Sequence, residues 1–125
     1  MPFSASPTLI LRISLAIVFV WFGVHKILEP QYWVDAWLPQ WLTALVERLS
    51  VGATDFIRLQ GVGETLIGIG LASGLLVRWC AAAGAFLLVG VLIIYGFNEV
   101  TVRDIGLLGA CLALALWPPR RPWAP

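Results

Sequence analysis

Charge is scarce in this sequence. Seven acidic and eight basic residues make up 12% of 125 positions, against about 25% in an average soluble domain. Hydrophobic residues fill 60%. So few charges cannot coat a water-soluble body of single-domain length, and lipid is the solvent that fits. A net charge of +1 gives no basic footprint, which excludes nucleic acid as a partner. The single histidine, His25, excludes a histidine-rich metal site, and no metal ligand set is expected. Cys80 and Cys111 lie in separate apolar segments without a CxxC spacing. They read as small apolar packing groups, support no disulfide and do not report a redox compartment. The Gly61-Val-Gly63-Glu64 stretch lacks the GK[ST] of a phosphate loop, and no Ser/His/Asp or Cys/His nucleophile set can be assembled. The N-terminus has no small-residue cleavage pattern, and its apolar stretch is too long for a signal h-region, so it is expected to be retained.

What is present is a series of long apolar runs. After an irregular lead over 1–7, residues 8–28 are apolar apart from Arg12, Ser14, His25 and Lys26. That matches the ~20 residues a helix needs to cross ~30 Å of hydrocarbon. Arg12, in the first turn, can snorkel to the headgroups, and Pro30 marks the exit. Further spans are expected at 56–76, carrying Arg58, Gln60 and Glu64, at 79–97, and at 103–117. Val77 and Arg78 form the turn between the second and third, and residues 98–101 connect the third to the fourth. Pro118, Pro119 and Pro122 then stop any helix, with Arg120 and Arg121 as a basic tail. Such short connections force antiparallel neighbours.

Residues 31–50 follow a different pattern. Val34, Trp37, Leu38, Trp41, Leu42, Leu45 and Val46 recur at helical spacing, with Asp35, Gln40, Thr43, Glu47 and Arg48 mostly on the other side. This predicts an amphipathic helix that can break at Pro39. Trp33, Trp37 and Trp41 recur every fourth residue, and tryptophan favours the membrane–water boundary. A protein-binding helix fits the same pattern. The predicted fold class is an all-α membrane protein: a four-helix up-down-up-down transmembrane bundle with one interfacial amphipathic helix after the first span.

The two ends of that bundle differ. One end, with both termini, carries Arg12, Arg78, Arg120 and Arg121 and no acid. The other carries Lys26, Arg48, Arg58 and Arg103 together with Glu29, Asp35, Glu47, Asp55, Glu99 and Asp104. Base counts tie, but the bases at the mixed end have acidic neighbours, so the termini are expected on the cytoplasmic side.

All four spans bring ionisable groups towards the mixed end. His25 and Lys26 close the first, Glu64 lies about two turns into the second, roughly 9 Å deep, Glu99 follows the third, and Arg103 and Asp104 open the fourth. A charge within a span costs ~2.5–3.5 kcal/mol at the centre, so Glu64 needs a partner or a proton. Lys26 and Arg103 are the obvious countercharges. Gly61 and Gly68 share the Glu64 face and allow close approach of a backbone or ligand. The cluster Lys26, Glu64, Arg103, Asp104, Glu99 and His25 therefore reads as a polar pocket open to a flat apolar ligand or a proton. It reads equally as a buried salt-bridge network that fixes helix pairing. A faint internal repeat accompanies it: Gly23 precedes Lys26 as Gly96 precedes Glu99, and Arg58 precedes Gly61 as Arg103 precedes Gly106.

The run Trp21-Phe-Gly-Val-His-Lys-Ile-Leu-Glu-Pro30, followed by Trp33, resembles the first helix of DoxX-like membrane proteins. Gly63-Glu-Thr-Leu-Ile-Gly-Ile-Gly-Leu-Ala-Ser-Gly-Leu-Leu-Val-Arg78 resembles the second, and Arg103-Asp-Ile-Gly-Leu-Leu-Gly109 the opening of the fourth. The resemblance implies a four-helix protein of the bacterial inner membrane. It links the chain to the small membrane subunit of a thiosulfate:quinone oxidoreductase and to membrane complexes that handle oxidative stress. The positions it carries over are Lys26, Glu64, Arg103 and Asp104. No flavin, haem or iron–sulfur signature is present, so redox chemistry would need a diffusible quinone, not covalently held, or a partner subunit. The expected function is a quinone- or lipid-handling membrane subunit associated with an oxidoreductase, alone or as a homo-oligomer. The alternative is a non-catalytic anchor or assembly module whose Trp-rich helix docks a partner protein. A small proton-coupled transporter would need an oligomer or a partner.

Overall fold

The computed structural model describes residues 6–118; Pro119, Pro122, Arg120 and Arg121 lie outside them, as does most of the expected N-terminal lead. Six helices follow in order: α1 (Pro7–Leu28), α2 (Pro30–Ala36), α3 (Gln40–Arg48), α4 (Ala53–Ser73), α5 (Val77–Tyr95) and α6 (Glu99–Leu116). Pro7 opens α1, where its fixed φ suits a first turn and its missing N–H is not needed. Glu29 stands before Pro30, a position that disfavours helix, so the chain turns there and Pro30 starts α2. The amphipathic segment is two helices, with Pro39 as the N-cap of α3.

The helix limits differ from the apolar runs because caps, and not hydropathy, set them. The turn expected at Val77 and Arg78 lies three residues earlier: Gly74, at φ +82°, ends α4 in the left-handed conformation that glycine tolerates. Asn98 accepts from the backbone N–H of Val100 and Thr101, and Thr101 Oγ1 accepts from the Asn98 N–H. This capping box starts α6 at Glu99, ahead of the expected Arg103. Helix α4 begins at Ala53, so Glu64 sits three turns in, ~16 Å along the axis at about 1.5 Å per residue, deeper than its distance from the start of the apolar run implied.

Helices α1 and α4 make the most extensive pairing, α5 and α6 the next, and α4–α5 and α1–α6 contacts close the ring. Small residues set the α1–α4 distance. A Cβ on Gly61 would stand 2.6 Å from the Gly23 carbonyl oxygen, and one on Gly23 would stand 2.7 Å from the Gly61 carbonyl oxygen. The two backbones therefore touch. At the end of the bundle near the chain termini, Arg12 Nε donates to Leu71 O at 2.9 Å and its Nη2 to Ala72 O at 3.3 Å. The guanidinium thus satisfies the last carbonyls of α4 and opposes the negative end of its dipole. Arg12 was expected to reach for headgroups; it reaches for a neighbouring helix instead.

The surface is apolar and the interior holds charge. Ile17, Trp21, Leu59, Leu66, Trp79, Phe86, Ile93 and Phe97 are exposed, while Lys26, Glu64 and Thr101 are buried. Soluble proteins rarely show such extended apolar patches. Helices α1 and α5 are long and apolar enough to cross a membrane. Leu15, Ala16, Phe19, Leu71, Ala81, Ala85, Leu88, Cys111 and Leu114 fill the core nearer the termini. Leu38, Leu42, Val46 and Ile57 form a second core under α3.

Two glycines on α4 should respond oppositely to the same change. Gly61→Ala should destabilise the protein by about 1–3 kcal/mol through overpacking. Gly63→Ala, where nothing lies within 4 Å of the added Cβ, should be neutral or stabilising by up to ~1 kcal/mol. Unfolding in detergent micelles measures both, and equal effects would contradict the α1–α4 contact.

Candidate functional site

The site starts from the Gly23–Gly61 contact. Because Gly61 has no side chain, the Lys26 stem passes over it, and a Cβ there would meet Lys26 Cβ at 2.9 Å. Lys26 Nζ then reaches Glu64, one turn further along α4, and donates to Oε1 at 2.6 Å. Their side chains are 9% and 5% exposed, so this is a buried ion pair. Glu64 Oε2 is buried and has no hydrogen-bond partner among the described residues.

Helix α2 folds back over this pair. The Trp33 ring lies 4.9 Å from Lys26 Nζ, within cation–π range. Trp33 Nε1 donates to His25 Nδ1 at 2.8 Å, so His25 acts as an acceptor at that nitrogen and the ring carries its proton on Nε2. Tyr32 and Phe22 pack edge-on against the same group, with ring centroids 5.5–5.8 Å from His25 or Trp33. Trp37 packs edge-on against Tyr95 at the end of α5.

These groups enclose a cavity of about 440 Å³, within the ~300–1,000 Å³ usual for small-molecule sites. Phe19, Phe22, Leu88 and Val91 supply aliphatic and aromatic wall, Trp33, Trp37 and Tyr95 line the side nearest the loops, and Lys26, Glu64, Arg103 and Asp104 supply charge. Two cations and two anions line it, so its formal charge balances. A second, shallower groove of about 580 Å³ runs along the outer face of α1, lined by apolar residues and His25. Trp21 and His25 border both spaces.

Five of the six residues singled out in the sequence, His25, Lys26, Glu64, Arg103 and Asp104, line this cavity. Glu99 does not: it is exposed in the first turn of α6, where an acid suits the positive helix end. Helix α5 accordingly contributes Tyr95 in place of a charged group. Lys26 is the countercharge of Glu64. Arg103, the other expected partner, makes no ion pair among the described residues. Trp33 and Trp37 face the cavity, whereas Trp41 is 59% exposed. The every-fourth spacing of the tryptophans carried no sign of this division, because Pro39 separates Trp41 from the other two.

A buried pair and its isolated members should behave very differently. Lys26→Met leaves Glu64 buried and unpaired and should cost about 3–5 kcal/mol. Combining it with Glu64→Leu should recover most of that loss. A double-mutant cycle by unfolding in micelles measures the coupling, and simple additivity would contradict a direct pair.

The family model described as DoxX matches residues 8–98. No curated protein and no solved structure matches the chain.

Proposed function

The chain belongs to the DoxX family, and on that footing we propose that it is a quinone- or lipid-handling membrane subunit associated with an oxidoreductase, with its ligand held in the cavity between α1, α4, α5 and α6. The observation that carries this reading is a balanced set of four charges in an otherwise apolar and aromatic cavity. A net-neutral lining disfavours a charged ligand, and flat aromatic walls suit a ring. Lys26 or Arg103 would polarise a quinone carbonyl, and Glu64 would exchange a proton with it. The outer groove along α1 supports access from hydrocarbon, since Trp21 and His25 border both it and the cavity.

In this reading all four long helices cross the bacterial inner membrane as an up-down-up-down bundle with cytoplasmic termini. The apolar outer faces of α4, with Leu59, Val62, Leu66 and Ile69, and of α6, with Val102, Ile105, Leu112 and Leu116, support it. Helices α2 and α3 lie in the interface between membrane and water. A second reading, docking of a partner protein, is favoured by the exposure of Trp41 and Leu45 on α3, a short helix whose buried face is already taken up by Leu42 and Val46.

Mass spectrometry of protein purified in mild detergent tests both readings. A quinone in stoichiometric amount is the expected result, and Glu64→Gln should lower quinone-dependent activity. A stable protein partner with no bound quinone would favour docking, and full activity of the Glu64 variant would exclude the proton role.

A further inference from the structure

We propose that α2 is a lid over the cavity and that the hydrogen bond from Trp33 to His25 is its latch, closed while His25 is neutral and released when His25 takes up a proton. Trp33 Nε1 donates to His25 Nδ1 at 2.8 Å. An indole nitrogen can only donate, and an imidazole nitrogen accepts only while it carries no hydrogen. Protonation places a hydrogen on both ring nitrogens, so two donors would then face each other across 2.8 Å. Attraction between the imidazolium and the indole does not rescue the contact. The edge of Trp33 points at His25, and the edge is the positive side of an aromatic ring, whereas a cation is drawn to the face. Lys26 Nζ already stands 4.9 Å from the same indole. A second cation on the adjacent residue would add like-charge repulsion.

Helix α2 can move as a unit. It is seven residues long, bounded by one break at Glu29 and Pro30 and another at Leu38 and Pro39, and neither proline has an N–H to carry a helical ladder across. Tyr32, Trp33 and Trp37 line the cavity from it. Among the described residues, Trp33 makes its one side-chain hydrogen bond to another helix. Its other attachments are apolar or edge-on: Tyr32 against His25, Trp37 against Tyr95, and Trp33 and Val34 against the core under α3. Because His25 borders both the outer groove and the cavity, the latch stands where a route from hydrocarbon would enter. The ionisable groups around His25 are Lys26 beside it, Glu29 one turn further along the chain and Tyr32 on α2. Across the cavity are Glu64 on α4, Tyr95 on α5, and Arg103 and Asp104 on α6. Histidine is the residue type among these that ordinarily changes charge between about pH 5 and 8, and variants at position 25 separate its response from that of the acids.

Amide hydrogen exchange of the full chain in detergent tests the latch, read by mass spectrometry on peptides from α2 and, for reference, from α5. After correction for the intrinsic pH dependence of exchange, α2 should exchange about tenfold faster at about pH 5 than at about pH 8, the scale of one buried hydrogen bond lost, while α5 should not change. His25→Asn keeps an acceptor close to the Nδ1 position but does not titrate in this range, and should hold α2 slow in both conditions. His25→Phe keeps a ring without the acceptor and should leave α2 fast in both. His25 is the chain's single histidine, so nitrogen NMR of untagged, histidine-labelled protein reads it directly. Nδ1 should lack a hydrogen in the alkaline condition and gain one over the same pH interval in which α2 loosens. Equal exchange of α2 in the two conditions would overturn the latch. So would an imidazole that titrates without any change in α2, or a pH response that persists in His25→Asn, which would assign it to Glu64 or Asp104. The exchange and NMR measurements on the unaltered chain decide the matter even if neither variant folds. No ligand enters any of them, so failure of the latch leaves the quinone-class reading standing.

Discussion

The structure is organised by one constraint: a lysine and a glutamate must meet inside an apolar body. Lys26 and Glu64 are 7% and 3% exposed, and a charge buried there is costly unless an opposite charge meets it. Their contact fixes the register of α1 against α4. It demands that the lysine stem cross the α4 backbone, which only a glycine at position 61 allows. The same register brings Gly23 against the Gly61 carbonyl. Little of this favours stability in itself, because two desolvated charges gain about what they lose. What the pair supplies is uniqueness, since a slip of α1 by one turn would bury two unmatched charges.

The remaining features follow from that pair. Trp33 folds back to cover the ammonium and holds His25 in one orientation, which ties α2 to the end of α1. The two apolar cores lie to either side of this polar layer, one towards the termini and one under α3. Arg12 closes the α1–α4 pair at its other end by meeting the carbonyls that α4 leaves open. Arg78 on α5 approaches Trp117 O at the end of α6 at 3.5 Å. Each strongly paired set of helices thus has an arginine in the first two turns of one member directed at the carbonyls that end the other. This repeats between the helix pairs more clearly in space than the glycine and charge spacings do in sequence.

Much of this arrangement was legible in the sequence, for a physical reason. Charges are so rare in the apolar runs that each one must be explained, and Lys26 and Glu64 are natural partners. Gly61 and Gly68 share a helical face with Glu64, so close approach there could be read from spacing alone. What could not be read depends on local geometry or on chain reversal. Hydropathy does not change at Gly74, and its drop at Asn98 marks a connection without showing that a capping box starts the next helix there, so limits set by a left-handed cap and a capping box fell outside its reach. The inward turn of Trp33 follows from the break at Glu29 and Pro30 and cannot be inferred from periodicity within 31–50. Tyr95 went unnoticed because a tyrosine at the end of an apolar run looks like an interfacial residue. Glu99 was grouped with the cluster by its height along the bundle, but height says nothing of which way a side chain faces.

The partners in the α1–α4 pair are separated by 38 residues for Lys26 and Glu64 and by 59 for Arg12 and Leu71. A ribosome extending the chain at ~5–20 residues per second therefore exposes the lysine for roughly 2–8 s before its acid exists, and the arginine for longer still. During that interval the first helix carries two cations with no counterpart. They lie near its opposite ends, where long basic side chains can stretch to water. The placement of these cations thus makes the nascent helix tolerable to a bilayer while it waits, and leaves the final locking step to the moment α4 arrives.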